Sequence, residues 1–168
     1  WGLLRGFETE RTETMQKPIR VYADTSVFGG AQDPEFRELS EPFFARVREG
    51  AVCLVVSPVV LGELQGAPEA VRRYFAELSP SVERVEMEEE AFALRDAYLR
   101  AQIVAPKWQA DALHVAAATV SGCRAIVSWN FKHIVNFRRI PLYNGVNQTQ
   151  GYGPIAIHTP PEVVFDEE

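Results

Sequence analysis

Short apolar, β-branched runs alternate along this sequence with longer segments whose apolar residues recur at helical spacing, and that alternation permits few folds. Runs at 19–23, 51–56, 82–86, 125–128 and 155–157 read as strands. Between them, 36–48 carries helical spacing and stops at Gly50, and 69–78 stops before Pro80. A further helix covers 87–103, with Glu88, Glu89 and Glu90 as its acidic first turn. Ser57-Pro58 is a helix start, because serine caps free amides and proline at the first helical position gives up a hydrogen bond it could not have made. Glu63 therefore rides on a helix launched from the second strand. Pro106 opens the next helix, which runs through 111–121 and stops at Gly122. Turns are expected at Gly29-Gly30 and Pro160-Pro161, and a Gly/Asn-rich loop over 144–153. The pattern predicts a three-layer α/β/α sandwich on a short, mostly parallel sheet.

In open sheets of this kind ligands bind beyond the carboxyl ends of the strands, so what stands there matters most. Asp24 ends the first strand, Ser57 and then Glu63 follow the second, and Asn130 follows the fourth. Asp111 sits near the start of its helix. Gathered on one rim, Asp24, Glu63 and Asp111 would present carboxylate oxygens with few imidazoles and no thiolate, a donor set for a hard cation, Mg²⁺ or Mn²⁺, rather than Zn²⁺. Such an ion removes the repulsion among the acids, binds a phosphate oxygen and lowers the pKa of water, which is metal-assisted phosphodiester hydrolysis.

Composition bounds the alternatives. With 168 residues, 46% hydrophobic and 24% charged, the chain suits one domain, expected over 18–165, with 1–17 read as an N-terminal extension or an expression remnant because the chain begins with Trp and lacks an apolar period there. No run is long enough to cross a membrane, and a soluble cytoplasmic protein is expected. Cys53 and Cys123 stand apart without zinc-ligand spacing and read as buried thiols. The net charge of -6 excludes a protein that coats nucleic acid by charge alone, yet leaves room for a local basic rim drawn from Arg37, Arg46, Arg48, Arg72, Arg73, Lys107, Lys132, Arg138 and Arg139.

Three strings carry a resemblance: Val21-Tyr22-Ala23-Asp24-Thr25-Ser26-Val27-Phe28-Gly29-Gly30, Ser57-Pro58-Val59-Val60-Leu61-Gly62-Glu63-Leu64 and Asp111-Ala112-Leu113-His114-Val115-Ala116-Ala117-Ala118. They are followed by Ile126-Val127-Ser128-Trp129-Asn130-Phe131-Lys132-His133-Ile134 and by a tail from Gly151 through Pro160. In order and spacing, over residues 19–163, these strings resemble the successive motifs of PIN-domain proteins, in particular the VapC-type toxins of type II toxin-antitoxin systems. The resemblance implies a divalent-metal-dependent endoribonuclease, often a homodimer, paired with an antitoxin protein that covers or enters the acidic groove. It departs at Asn130, where many members place a fourth acid. Three carboxylates leave about one unit of negative charge against one Mg²⁺, so a second ion would be held weakly. Asn130 then reads as a neutral oxygen ligand, a water-positioner or an RNA contact.

Each residue also has a plainer reading. Asp24 alone would as readily cap a turn, Glu63 would be a solvated helix residue, and Asp111 would serve the helix dipole at about 0.3–1 kcal/mol. His114 reads more simply as a satisfied buried histidine than as a ligand. Thr25 and Ser26 are candidates to bond metal-bound water or phosphate, with Ser128 more weakly indicated, and Lys107, Lys132 and His133 are candidates for phosphate contacts. Asp96 is simplest as a helix-surface acid, and Trp108 and Trp129 as packing residues. The rival functions are a catalytically weak or inactive RNA-binding or assembly module of the same fold, for which Asn130 speaks, a small-molecule phosphatase built on Asp24-Thr25-Ser26, and a nuclease acting on DNA.

Overall fold

A computed structural model describes residues 17–164; of the stretch expected to be an N-terminal extension, residues 1–16 lie outside the described residues. Five strands, β1 (Ile19–Ala23), β2 (Val52–Val56), β3 (Val82–Arg84), β4 (Ala125–Val127) and β5 (Ala156–His158), form one sheet in the order β3-β2-β1-β4-β5. All four pairings are parallel. The sheet is thus parallel throughout. β1 lies at its centre, with Tyr22 opposite Val55 on one side and Ile126 on the other. Parallel strands buried on both faces read as unbroken apolar runs, and Val21, Tyr22, Ala23, Leu54, Val55 and Val56 are all fully buried.

Among the described residues seven helices flank the sheet: α1 (Thr25–Gly30), α2 (Arg37–Arg48), α3 (Pro58–Gln65), α4 (Glu69–Leu78), α5 (Glu89–Arg100), α6 (Gln109–Val120) and α7 (Ile140–Thr149). They pack as two groups. One, from α1, α2 and α4, shares an aromatic cluster in which the Phe28 ring meets Phe44 at 6.0 Å and Phe75 at 5.2 Å. The other, from α5, α6 and α7, is held by a buried polar knot: Tyr98 donates to Asn147 Oδ1, and Asn147 Nδ2 donates to Thr119 Oγ1 at 3.3 Å. The result is the expected three-layer α/β/α sandwich. Gly50 and Gly122 follow α2 and α6 with φ of 81° and 71°, the left-handed stop for which glycine is suited.

Two expectations need correction. The Gly29-Gly30 turn is the last part of α1, which Asp24 opens as its N-cap. Much of the expected 144–153 loop is α7, in which fully buried Asn147 meets the Tyr98 and Thr119 hydroxyls and Asn144 bonds both ways with the Ile155 backbone. Tertiary partners for these amide side chains override their low helix propensity. Cys123 is buried, its thiol pushed up to about 12 by desolvation, whereas Cys53 is only half-buried.

Candidate active site

Chain order sets where a site must lie. From β1 the chain steps outward to β2 and β3, then returns to the far side of β1 as β4, so the topology switches between β1 and β4 and opens a crevice at their carboxyl ends. Asp24 stands at that point. Its side chain is buried, 4% exposed, and its Oδ1 accepts from Ser26 Oγ at 2.5 Å while Oδ2 accepts from Ser128 Oγ at 2.8 Å across the switch. The two hydroxyls are themselves fixed from behind: Ser26 Oγ accepts from the Trp129 amide and Ser128 Oγ from the Asn130 amide, both at 2.9 Å. Burial holds the Asp24 carboxyl above its ordinary pKa, and the nearby Glu63 charge pushes the same way. His114 and the two serines act against that rise without cancelling it.

Glu63 reaches the site from α3. Ser57 caps that helix, its Oγ accepting from the Val59 amide. Glu63 Oε1 lies 2.5 Å from His114 Nε2, with the carboxylate 43% exposed and the histidine 2%. Behind it, His114 Nδ1 meets the Tyr22 hydroxyl at 2.8 Å, and Tyr22 meets Ser57 Oγ at 2.7 Å. One direction of donation satisfies every link: Ser57 donates to Tyr22, Tyr22 to His114 Nδ1, and His114 Nε2–H to the Glu63 carboxylate. Desolvation raises the Tyr22 phenol above its ordinary pKa, which keeps it a donor.

Asp111, in the first turn of α6, is paired in the same manner with His133, whose Nδ1 lies 2.8 Å from Oδ2. The Asp111 side chain is 22% exposed. Asn130 was expected to offer a neutral oxygen to a metal, water or RNA. In the structure its Oδ1 accepts the amides of Lys132 at 3.2 Å and His133 at 3.0 Å, capping the turn that carries His133. Of the two residues after Asp24, Ser26 bonds the acid, while Thr25 Oγ1 is buried without a hydrogen-bond partner. Lys107 and Lys132 bond none of the three acids; the Lys107 ammonium lies 5.2 Å over the Trp108 ring. Asp96 is taken up by Arg95. Among the described residues no three His, Cys, Asp or Glu side chains form a group able to hold a metal ion as they stand. The donors that surround the switch point are nonetheless carboxylate and hydroxyl oxygens, the kind that Mg²⁺ and Mn²⁺ select.

Sequence reasoning missed the Tyr22–Ser57 link. The available signal was a tyrosine inside a wholly apolar strand, since a buried phenol requires a partner. It also named His133 only as a phosphate contact, and no spacing along the chain links it to Asp111. Beside the site, a cleft of about 600 Å³ is lined by Ser26, Gly30, Asp33, Phe36, Val71 and Trp129. Trp129 forms one wall, its ring 4.4 Å from Phe36 and its Nε1 donating to Ser40 Oγ at 3.0 Å.

Fold and site together describe a parallel α/β sandwich with an acid at its topological switch point. The same fold occurs in a chain of the structure of VapBC2 from Rickettsia felis bound to a DNA fragment from their promoter, with a TM-score of 0.56 and 12% identity, covering 83% of this chain and 98% of that one. VapC20 from Mycobacterium tuberculosis, described as a Sarcin-Ricin loop cleaving toxin, aligns with a TM-score of 0.48 and 15% identity over 67% of this chain and 92% of its own. No protein-family model matches the sequence, and no curated protein matches it. This chain therefore shares its fold, a PIN-like three-layer sandwich, with that VapBC2 chain. Among the described residues, no helix is long and apolar enough to cross a membrane.

Proposed function

We propose that this protein is a divalent-metal-dependent endoribonuclease, the toxin of a toxin-antitoxin pair. The observation that carries the reading is Asp24, a buried carboxylate at the one point where the parallel sheet opens a crevice, held by hydroxyls from both flanking segments. A buried carboxylate with another acid nearby favours a cation as its counter-charge. Asp24, Glu63 and Asp111 would hold Mg²⁺ or Mn²⁺, which when bound polarises a phosphodiester oxygen and acidifies water. The protein's own groups do the positioning. Ser26 and Ser128 fix Asp24, His114 orients Glu63, and His133 orients Asp111. An antitoxin partner and a homodimer belong to the same proposal, by analogy with the VapBC fold.

The test is cleavage of a panel of structured RNAs, with matched DNA and a generic phosphate ester, in EDTA, Mg²⁺ or Mn²⁺, for the protein and for Asp24→Asn. Metal-dependent RNA cutting that disappears in the variant is expected. A second reading, an inactive RNA-binding module, is favoured by Asn130, which stands where a fourth acid is expected and whose Oδ1 accepts the Lys132 and His133 amides. RNA binding without cleavage of any substrate under all metal conditions would decide for it.

A further inference from the structure

Although the protein carries a net charge of -6, neither Asp nor Glu occurs between Asp111 and Glu162, a stretch that includes Arg124, Lys132, Arg138 and Arg139. The part of it that follows β4 is folded tightly by two asparagines. Asn130 caps the Lys132 and His133 amides, while Asn136 Oδ1 accepts from the amides of Arg138 at 3.1 Å and Arg139 at 3.3 Å. Asn136 Nδ2 also donates to the Phe131 carbonyl at 3.1 Å, so one side chain ties Phe131 to Arg138. Both phenylalanines of this segment face solvent, Phe131 at 51% exposure and Phe137 at 93%. Arg139 Nε bonds the Ile103 carbonyl at 3.0 Å, fastening the segment to the chain just before the 3₁₀ turn Pro106–Trp108. There the Trp108 ring stacks on His133 at 4.6 Å, and His133 bonds Asp111.

This face is therefore continuous with the candidate site and has a composition of its own. Elsewhere some exposed arginines pair with acids, Arg48 with Glu41 and Arg73 with Glu69. No acid lies within ion-pair distance of Lys107, Lys132 or Arg138 among the described residues. Exposed rings interleaved with unmatched cations suit single-stranded nucleic acid, where bases stack on aromatics and phosphates follow the positive groove. A protein-binding patch would instead be depleted of lysine at its centre. We propose that Lys107, Trp108, Phe131, Lys132, Phe137 and Arg138 form the platform on which an unpaired stretch of RNA lies as it crosses the Asp24–Asp111 site, so that loops are engaged in preference to duplex. The inference rests on the ribonuclease reading above.

The test separates the two. Binding of the full chain to a fluorescent single-stranded RNA and to the same sequence as a duplex is measured by anisotropy in EDTA, where cutting plays no part, and cleavage is measured separately with Mn²⁺. Phe137→Ala is expected to weaken single-strand binding roughly five-fold or more, Phe137→Trp to restore it, and Lys132→Ala with Arg138→Ala to flatten the salt dependence. With Phe137 so exposed, circular dichroism and thermal unfolding of these variants should match the parent. Single-strand preference lost in Phe137→Ala supports the platform even if the parent cuts nothing. Cleavage by the parent with unchanged affinity in Phe137→Ala overturns the platform and leaves the ribonuclease reading standing. No RNA binding, with Phe137→Ala altering the sedimentation of the chain instead, assigns the face to protein association and also overturns it.

Discussion

The three candidate carboxylates are built in two different ways. Asp24 lies at the end of the central strand, sealed from water and gripped by two serines that are themselves gripped by backbone amides. Glu63 and Asp111 stand on helices, partly open to solvent, each leaning on one histidine. The strand-end acid is rigid because its bonds run to the sheet, to the first turn of α1 and to the segment following β4. The helix acids are adjustable, since a surface carboxylate can exchange an imidazole for water at little cost. On the proposed reading, such a site would keep one carboxylate fixed and leave two free to adjust to an arriving cation.

The largest test of that contrast is Asp24→Asn. Cleavage should fall by more than the roughly 10–100-fold that loss of a supporting hydrogen bond costs, because a ligand itself is neutralised. Stability should move the other way. Burial raises the Asp24 pKa in the folded state, so the metal-free native protein binds this proton more tightly than the unfolded chain does. That contribution to stability is complete below the ordinary carboxylate range and is lost as pH rises through the folded value. In EDTA near neutral pH the asparagine should therefore raise Tm, by about 2–4 °C if roughly 1 kcal/mol is recovered. Thermal unfolding of both proteins across pH 4–8 checks it, and a parallel pH dependence in parent and variant would remove Asp24 as the source.

The two histidines offer the next test, because His114 also bonds the buried Tyr22 hydroxyl while the His133 ring bonds Asp111 and stacks on Trp108. His114→Ala leaves the fully buried Tyr22 hydroxyl without its Nδ1 partner, costing about 1–3 kcal/mol. It also frees Glu63, and a supporting bond of this type is worth about 10–100-fold in activity. His133→Ala should cost activity within the same range but less stability, since Asp111 can turn to water. Equal losses of stability in the two variants would mean that the rim is as rigid as the strand end.

A smaller effect is expected from Gly30→Ala on the opposite flank. A Cβ at this helical position would lie 2.6 Å from the Trp129 indole, closer than any contact tolerates. Trp129 must shift, and with it the amide that steadies Ser26, so overpacking of about 1–3 kcal/mol should appear in urea unfolding. Unchanged unfolding would show that the indole can move without the Asp24 cradle noticing.

How much of this was legible beforehand follows from what each signal rests on. Helix 69–78 and strand 19–23 were readable to the residue because each is bounded by its own punctuation, Pro80 in one case and Asp24-Thr25-Ser26 in the other. The positions of Asp24, Glu63 and Asp111 on their elements followed from the same local chemistry. α7 was not legible: Asn144, Gly145 and Asn147 locally favour a loop, and only Tyr98, Thr119 and the Ile155 backbone, far away in sequence, make the helix. Likewise nothing local reveals that His133 belongs to Asp111, or that the Asn130 oxygen faces its own following amides. Pairings across the sandwich are created by the fold, and a one-dimensional pattern does not contain them.

Asn130 gives the finest test, since chemistry and architecture predict different outcomes for Asn130→Asp. If this position were an open ligand site, a fourth carboxylate would strengthen Mn²⁺ binding substantially. In the fold its Oδ1 caps two amides, and an aspartate caps as well as an asparagine does. The variant should then unfold within about 0.5 kcal/mol of the parent, whereas Asn130→Ala should lose about 0.5–2 kcal/mol with the cap. Mn²⁺ affinity by calorimetry should rise less than ten-fold, about 1.4 kcal/mol, because the new charge stays turned toward the backbone. A larger gain would mean that the side chain leaves its cap when a cation is present, and the rigid strand end would then extend no further than Ser128.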